Sequence, residues 1–262
     1  MPELPEVENR LLYLRRTALG HVIDHVDVSE PRILICCGST AFKRGLKGRQ
    51  MVEATRRGKY LIVRLDDGRY LVLHFTMGGD LYYYSDPADR PRYSRLVFAL
   101  ENGFRLAFTC PRNICRVMLV DSPSDIAGLR TMGPEPLGEE FTQKDLRRIL
   151  AAHPARRIKS LLLDQNSIAG IGNIYADEVL FGAGIRPERA AGAISQIEAS
   201  RLYRSIRSVL RRAIKTGGDE EFPDGFLIAR DERGAGCPRC GRSIEKTTII
   251  GRTTRYCSAC QQ

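Results

Sequence analysis

The 262-residue sequence predicts an α+β protein of several domains, and three observations along the chain support this fold class. Residues 4–18 carry apolar side chains every three or four positions, which is typical of a helix with one buried stripe. Residues 21–120 form short alternating apolar runs separated by turns such as Glu101-Asn102-Gly103, which predicts an antiparallel sandwich or barrel. Residues 142–215 return to helical spacing, and a short tail with paired cysteines follows.

Changes of pattern along the chain divide it into three predicted domains. The Pro/Gly-rich connector "TMGPEPLG" separates the strand-rich half from the helical half, and a Gly-rich stretch at 217–236 precedes the cysteine-bearing tail. We therefore expect an N-terminal β domain at 1–132, a helical domain at 133–216 and a terminal segment with a metal-binding hairpin at 217–262.

The charge of the chain favours a polyanionic partner. Lysine and arginine number 41 against 31 aspartate and glutamate, a formal net charge of +10, which indicates nucleic acid unless the surface is merely basic and solvated. Because there is no long apolar run and the first 20 residues are highly charged, we expect neither a membrane span nor a signal peptide. In a soluble intracellular protein, eight cysteines favour metal ligands or free thiols over disulfides.

Four cysteines near the C-terminus have the spacing of a structural zinc site. Cys237 and Cys240 form one pair two residues apart, and Cys257 and Cys260 repeat that spacing after a strand-like hairpin sequence. Four thiolates around one Zn²⁺ leave no open coordination position, so the metal would hold shape. Redox dithiols or iron are the alternatives. Arg252 falls at the tip of the hairpin, where it suits a phosphate.

The segment "SLLLDQNSIAGIGNIYADEVLFGAGIRP" predicts two helices joined by a glycine turn. Free amides of "AGIGN" and the side chain of Asn173 suit a phosphate group, and Lys159 lies just upstream as a further candidate contact. A helix-turn-helix that reads bases in the major groove is the alternative, but the second helix begins with residues that do not read bases.

Six segments in order along the chain resemble the formamidopyrimidine-DNA glycosylase family, which also contains endonuclease VIII. They are "MPELPEVE", "RRGKY", "HFTMGG", "MGPEPL", "DQNSIAGIGNIYADEVLF" and "GRTTRYCSACQ". The resemblance implies an N-terminal β-sandwich with a leading helix, a helix-two-turn-helix domain and a four-cysteine zinc finger. It also implies a monomeric bacterial enzyme that binds damaged double-stranded DNA in the cytoplasm, at the nucleoid.

The resemblance gives the unusual N-terminus a chemical purpose. Once Met1 is removed, Pro2 becomes a secondary amine whose pKa of ~8 leaves a nucleophilic fraction at neutral pH. Attack on C1′ of a damaged nucleotide would expel the base and form a Schiff base, after which β,δ-elimination cleaves the strand. Glu3 would move protons to and from the sugar. Without the resemblance, these residues would only start a helix.

Matching of the remaining motifs assigns further roles. Lys59 and Arg252 would hold the phosphates at the lesion and assist elimination, Met77 would wedge into the base stack, and Arg112 would pair with the orphaned base. Further DNA contacts are expected from His74, Tyr93, Ile114, Lys159 and Asn173. A satisfied core histidine, a core methionine and a buried tyrosine are the structural alternatives for His74, Met77 and Tyr93.

Two departures from the family pattern concern the substrate and the extra cysteines. The segment at 217–236 is shorter than in typical members, where a longer loop closes over 8-oxoguanine, so weak 8-oxoguanine activity is expected. For Cys36, Cys37, Cys110 and Cys115, buried free thiols are favoured over a second metal or redox site.

Three functions follow from these observations. The favoured one is excision of ring-opened purines with AP lyase activity. The alternatives are an endonuclease VIII-like preference for oxidised pyrimidines or for bulky alkylated or cross-linked bases, and a non-catalytic zinc-finger protein that only binds damaged DNA.

Overall fold

The computed structural model describes residues 2–35, 37–217 and 222–262, and it confirms the predicted α+β class. The chain forms two compact units, one of Met1–Pro2 with Glu6–Thr131 and one of Glu3–Pro5 with Met132–Gln262. Met1, Cys36 and part of the shortened segment before the cysteines lie outside the described residues. The predicted three-domain division therefore stays a prediction.

The described part of the first unit is built from nine strands and three α-helices. Its strands are β1 (Ile23–Val28), β2 (Leu34–Ile35), β3 (Met51–Arg57), β4 (Tyr60–Leu65), β5 (Tyr70–His74), β6 (Asp80–Tyr84), β7 (Ser94–Leu100), β8 (Arg105–Thr109) and β9 (Arg116–Val120). Its helices are α1 (Leu4–Thr17), α2 (Ser39–Leu46) and α3 (Ala127–Arg130).

The strands form two sheets around one apolar core. One sheet has the order β1-β7-β8-β6 and the other the order β2-β9-β5-β4-β3, with every pair antiparallel except β2 and β9. Apolar residues from both sheets join Val7, Leu11 and Leu14 of α1 in a single cluster. The i, i+4, i+7 spacing of these three residues is the stripe predicted from the sequence. The unit is a β-sandwich with a leading helix.

The second unit, over its described residues, contains five α-helices and a two-stranded hairpin. These elements are α4 (Gln143–Ala152), α5 (Ile158–Leu163), α6 (Asn173–Ala183), α7 (Gln196–Lys215), α8 (Leu227–Glu232), β10 (Glu245–Ile249) and β11 (Arg252–Tyr256). Helices α4 and α7 each begin with a capping box, Thr142 with Asp145 and Ser195 with Glu198, which satisfies the free amides of the first turn. Apolar faces of α4, α5, α6 and α7 share one core.

The hairpin β10–β11 turns through Ile250 and Gly251, whose φ angles are +44° and +70°. Ile249 pairs with Arg252, so Arg252 is the first residue of β11 and not part of the turn. A two-stranded hairpin is marginally stable by itself. Its support comes from a small buried cluster in which Phe181 and Leu227 pack with Cys237 and Cys257. None of the described helices is both long and apolar enough to cross a bilayer.

Candidate active site and nucleic-acid-binding residues

The carboxylate of Glu3 lies at the N-terminus of α6. It accepts hydrogen bonds from the backbone N–H groups of Gly172, Ile174 and Tyr175 at 2.7, 3.0 and 3.3 Å. The first amides of a helix have no partner within the helix and carry its partial positive charge, so a carboxylate is well placed there. Glu3 is only 3% exposed. The residue that follows Pro2 is therefore fixed in position by main-chain contacts.

The turn that supplies these amides is held by Gln165. Its side-chain oxygen accepts from the N–H of Gly170, and its nitrogen donates to the carbonyl oxygens of Leu163 and Ile171. The sequence predicted that amides of this turn clasp a phosphate. That expectation is corrected for Gly172 and Gly170, whose N–H groups already bond to the carboxylate of Glu3 and to the side chain of Gln165.

Lys159 is fully buried and forms an ion pair in the interior of the second unit. Its ammonium nitrogen lies 2.7 Å from a carboxylate oxygen of Asp177 and donates to the hydroxyl of Thr254 at 2.8 Å. Burial raises the pKa of Asp177 to about 6, although the nearby positive charge of Lys159 acts to lower that pKa. With no exposed surface, Lys159 does not present a phosphate contact in this structure. Its role is to support the hairpin through Thr254, not to contact DNA as predicted.

Asn173 also connects α6 to the hairpin. Its side-chain amide donates to the carbonyl oxygen of Thr253 at 2.9 Å, and Asp177, one turn later, accepts from the backbone N–H of Arg255 at 2.9 Å. These contacts hold β11 immediately after Arg252, whose own side chain is exposed next to the hairpin turn. The second unit thus brings together Lys159, Asn173 and the strand that carries Arg252.

Lys59 and His74 are neighbours in the first unit. Lys59 is 8% exposed and occupies the turn between β3 and β4, and the next residue, Tyr60, packs its ring 4.5 Å from the ring of His74. Burial, followed by the charges of Lys59 and Arg116, lowers the pKa of His74 to about 4. His74 is therefore neutral at physiological pH in the DNA-free protein.

Met77 and Arg112 are brought together on the surface of the first unit. A guanidinium nitrogen of Arg112 lies 3.4 Å from the sulfur of Met77, and Met77 and Ile114 are 40% and 46% exposed. Exposed apolar side chains beside an arginine fit the predicted wedge and base-pairing roles. Tyr93 is also exposed, has a φ of +65° and lies under the guanidinium of Arg92 at 4.7 Å.

Cys110 and Cys115 form a disulfide, which corrects the expectation of free thiols at these positions. They close the hexapeptide that contains Arg112 and Ile114, and both residues are buried. The expectation of thiols came from the compartment alone, whereas the Cα atoms of this pair are 6.1 Å apart and within disulfide reach. Cys37 is half-buried, and Cys36 lies outside the described residues.

The four C-terminal cysteines converge as predicted. Their sulfur atoms all lie within 4.8 Å of one another, with separations of 3.8 Å between Cys237 and Cys260 and 3.5 Å between Cys240 and Cys257. Metal–sulfur bonds of about 2.3 Å in a tetrahedron place sulfurs about 3.8 Å apart. The donor set and spacing therefore fit a closed four-thiolate metal site. Among the described residues, no other cluster of metal-ligating side chains has this geometry.

Sequence reasoning did not identify two acidic residues that organise the second unit. Asp177 pairs with Lys159, and the fully buried carboxyl of Glu178 accepts from the backbone N–H groups of Leu227 and Ile228, the first residues of α8. Burial raises the pKa of Glu178 to about 8. The sequence does carry a sign of both residues, because Asp177 and Glu178 are adjacent acids in an otherwise apolar helix. Acidic side chains in such a helix are rarely buried unless they have partners.

Comparison with known proteins agrees with this architecture. The chain matches the family models "Formamidopyrimidine-DNA glycosylase N-terminal domain" over residues 1–117 and "Formamidopyrimidine-DNA glycosylase H2TH domain" over residues 132–222. It is 39% identical to formamidopyrimidine-DNA glycosylase of Pelotomaculum thermopropionicum, with 100% of this chain and 99% of the relative aligned. The formamidopyrimidine-DNA glycosylase of Thermus thermophilus is 38% identical, with 100% and 98% aligned.

Solved structures of such proteins also superpose on nearly the whole chain. A Lactococcus lactis FPG mutant in complex with Fapy-dG containing DNA has a TM-score of 0.88 at 32% identity, with 100% of both chains covered. The MutM (FPG) protein of Thermus thermophilus has a TM-score of 0.83 at 37% identity, covering 99% and 98%. Fold and site together define a base-excision DNA glycosylase with AP lyase activity. The chain belongs to the formamidopyrimidine-DNA glycosylase family, which excludes the alternative of a non-catalytic DNA-binding protein.

Proposed function

We propose that this enzyme excises ring-opened formamidopyrimidine purines through a Schiff base on Pro2 and then cleaves the strand by β,δ-elimination. The observation that carries the proposal is the fixed carboxylate of Glu3, which three main-chain amides hold directly beside Pro2 in the chain. A general acid–base group must be held in place to transfer protons efficiently. The Lactococcus relative, solved with Fapy-dG containing DNA, supports the same lesion class.

The reaction follows from the chemistry of a secondary amine. The nitrogen of Pro2 attacks C1′ of the damaged nucleotide, the bond to the base breaks, and the departing base takes a proton from water. The carboxylate of Glu3 accepts the proton that the attached nitrogen loses and passes it to O4′ of the sugar, so the C1′–O4′ bond breaks and an iminium forms. The resulting iminium withdraws electrons and acidifies C2′, so loss of that proton expels the 3′ phosphate. A second elimination expels the 5′ phosphate. Hydrolysis of the iminium then returns the free amine.

We propose that a set of cationic, polar and apolar side chains holds the distorted duplex. Lys59 and Arg252 bind phosphates next to the lesion, while Met77, Arg112 and Ile114 fill the space left by the extruded nucleotide. Tyr93 and Asn173 add DNA contacts, and His74 contributes only as a neutral hydrogen-bonding group. Because phosphate contacts dominate, binding weakens steeply as salt rises.

The metal of the four-cysteine site is proposed to be a single Zn²⁺. When bound, it would tie together the thiolates of Cys237, Cys240, Cys257 and Cys260 and so hold the hairpin that carries Arg252. Since four protein ligands complete the tetrahedron, all chemical steps fall to the residues of the chain.

We propose that 8-oxoguanine is a weak substrate. The alignment with the Pelotomaculum relative spans 275 positions, 13 more than this chain has residues. The shortened segment at 217–236 would account for part of that difference, although its residues 218–221 lie outside the described residues. A shorter loop leaves less protein to close over a flipped base. Oxidised pyrimidines and bulky alkylated or cross-linked bases are the competing substrates that a lesion panel must include.

Borohydride trapping tests the proposal. Wild-type protein incubated with an abasic duplex and borohydride should give a covalent protein–DNA adduct that maps to Pro2, and Pro2→Gly should lose most of it. In parallel, duplexes with formamidopyrimidine, 8-oxoguanine and an oxidised pyrimidine should be cut in that order of rate. A retained Met1 in the mass of the purified protein, or robust release of 8-oxoguanine opposite cytosine, would overturn the respective part of the proposal.

We also propose that the enzyme acts as a monomer in the bacterial cytoplasm, where it associates with the nucleoid. The net charge of +10 supports association with DNA by charge alone. Light scattering of the free protein and of its complex with a short lesion duplex should give one chain in each case.

A further inference from the structure

Two turns that carry the wedge residues meet at the sulfur of Cys115. The turn between β5 and β6 contains Met77, and the turn between β8 and β9 contains Arg112 and Ile114. Cys115 Sγ lies 3.0 Å from the carbonyl oxygen of Phe75, and a Cβ added at Gly79 would come within 2.9 Å of that sulfur. The turns are therefore in close contact at one buried atom.

The disulfide fixes the second turn at both of its ends. Cys110 and Cys115 are 0% and 2% exposed, whereas Arg112 and Ile114 between them project into solvent. Asn113 has a φ of +55°, and its N–H donates to the carbonyl of Cys110 at 3.4 Å. The disulfide thus closes the turn around a left-handed residue, a backbone conformation that costs energy and persists only where the surrounding structure enforces it.

Hydrogen-bonding groups lie next to the sulfurs of Cys110 and Cys115 and can bond to them when the disulfide is reduced. In the dithiol, Cys115 can donate its S–H to the carbonyl of Phe75, and Cys110 Sγ already lies 3.2 Å from the backbone N–H of Cys115. The thiolate is the form of a cysteine that reacts with peroxides. Arg95 donates to the carbonyl oxygen of Cys110 at 3.0 Å and adds positive charge nearby. Each sulfur thus has a hydrogen-bond partner in the reduced form, but these hydrogen bonds restrain the turn less than a covalent bond does.

We propose that Cys110 and Cys115 are a redox-controlled clamp that positions Arg112 and Ile114 for lesion recognition. This inference rests on the proposed role of these two side chains in filling the vacated space. In the oxidised state the turn is pre-ordered, and in the reduced state part of the binding energy is spent on ordering it. Disulfides of intracellular proteins are usually redox-sensing or catalytic, which agrees with such a clamp.

The oxidant is a hydroperoxide, the class of compound that also oxidises DNA bases. The Cys110 thiolate attacks one peroxide oxygen, the O–O bond breaks, and the departing hydroxide takes a proton to become water. The sulfur of Cys115 then attacks the sulfenic acid of Cys110 and releases a second water. Two thiols lose two electrons and two protons, and one hydrogen peroxide molecule is reduced to two molecules of water.

Peptide mapping tests the covalent part of the proposal. Trypsin cuts after Arg105, Arg112 and Arg116, so it separates Cys110 and Cys115 into the peptides 106–112 and 113–116. After peroxide treatment and alkylation, these two peptides should appear as one linked species, which a reductant splits. Two separately alkylated peptides in the peroxide-treated protein would overturn the clamp.

Binding to two duplexes tests the function of the clamp. Oxidised wild-type protein should bind a duplex with a tetrahydrofuran abasic analogue about 5-fold more tightly than reduced protein, and its affinity for undamaged duplex should stay the same. Cys110→Ala should show one affinity under both conditions. Cys37→Ala, which removes a cysteine elsewhere, should respond as the wild type does. Zinc content is measured in every sample, because peroxide also attacks zinc thiolates.

The outcomes separate the clamp from the proposed function. Equal affinity of oxidised and reduced wild type, with normal borohydride trapping, would overturn the clamp alone. A disulfide that only stabilises the fold would raise the melting temperature without changing the preference for lesion over undamaged duplex. That result would also overturn the clamp. Loss of trapping and of lesion preference in both redox states would instead reject the proposed function.

Discussion

The carboxylate of Glu3 accepts a hydrogen bond of 2.7 Å from the backbone N–H of Gly172, although 169 residues separate them in the chain. The contact anchors the N-terminus at the first turn of α6, where amides are free and the helix dipole favours an anion. A Cβ on Gly172 would overlap the carboxylate carbon of Glu3. Glycine is therefore required here for space.

Gly172→Ala should displace Glu3 and with it the adjacent Pro2. Because misplacement of a reacting group by about 1 Å costs on the order of 100-fold in rate, kcat for lesion excision should fall at least that far. Single-turnover cleavage of a formamidopyrimidine duplex measures the effect. Gly38→Ala is the matched control, since a Cβ there meets nothing within 4 Å and the rate should not change. A normal rate in Gly172→Ala would show that Glu3 is not positioned by this contact.

Lys159→Met distinguishes a structural lysine from one that binds DNA. Removing the ammonium leaves Asp177 buried without its counter-charge, so the free energy of unfolding should fall by about 3–5 kcal/mol. If Lys159 instead contacted a phosphate, stability would be unchanged and the salt dependence of DNA binding would lose a slope of about 0.9. Denaturant unfolding and salt titrations of binding measure both quantities. The exposed Lys144→Met serves as the control for removal of one positive charge.

Features that depend on local spacing could be predicted from the sequence, whereas features that depend on distant contacts could not. The four C-terminal cysteines form two close pairs with a recognisable spacing, and the stripe of α1 follows from helical periodicity, so local pattern predicted both. The partners of Lys159 lie on α6 and on β11, 18 and 95 residues away, and no local pattern indicates that such contacts bury a charge. The pairing of Glu3 with the α6 amides is non-local for the same reason. The Cys110–Cys115 disulfide was missed because redox state depends on the environment as well as on spacing.

Glu178 should make the second unit less stable as pH rises. Its pKa is raised by burial from 4.5 to about 8 in the folded state, so the folded protein retains the proton to higher pH than the unfolded chain. The stabilisation is complete below about pH 4.5 and is lost as pH approaches 8. Between pH 6 and 8, wild type should lose on the order of 2 kcal/mol relative to Glu178→Gln.

Denaturant unfolding at constant zinc, from pH 6 to 9, measures this difference. Glu232→Gln is the control, because Glu232 is exposed and its replacement should leave the pH profile of wild type unchanged. Parallel profiles for wild type and Glu178→Gln would show that the carboxyl of Glu178 does not hold a proton in the folded state. Hydrogen exchange at the amides of Leu227 and Ile228, which bond to this carboxyl, locates the effect in α8.

Removal of the metal should release the hairpin while the first unit stays folded. The hairpin has only two strands. Polar contacts from Lys159, Asn173 and Asp177 reach β11, but the apolar cluster beside the hairpin is small and includes the cysteine side chains themselves. Without metal, the bonds that would join the four sulfurs are lost, and the small cluster alone does not hold the two cysteine pairs together. A chelator should therefore extract one zinc per chain, abolish exchange protection in β10 and β11, and weaken lesion-DNA binding at least 10-fold as the tip with Arg252 loses its position. Cys240→Ala should reproduce these effects, whereas Cys37→Ala should keep zinc, protection and affinity. A metal-free protein that retained a protected hairpin and full affinity would show that packing, not zinc, holds Arg252 in place.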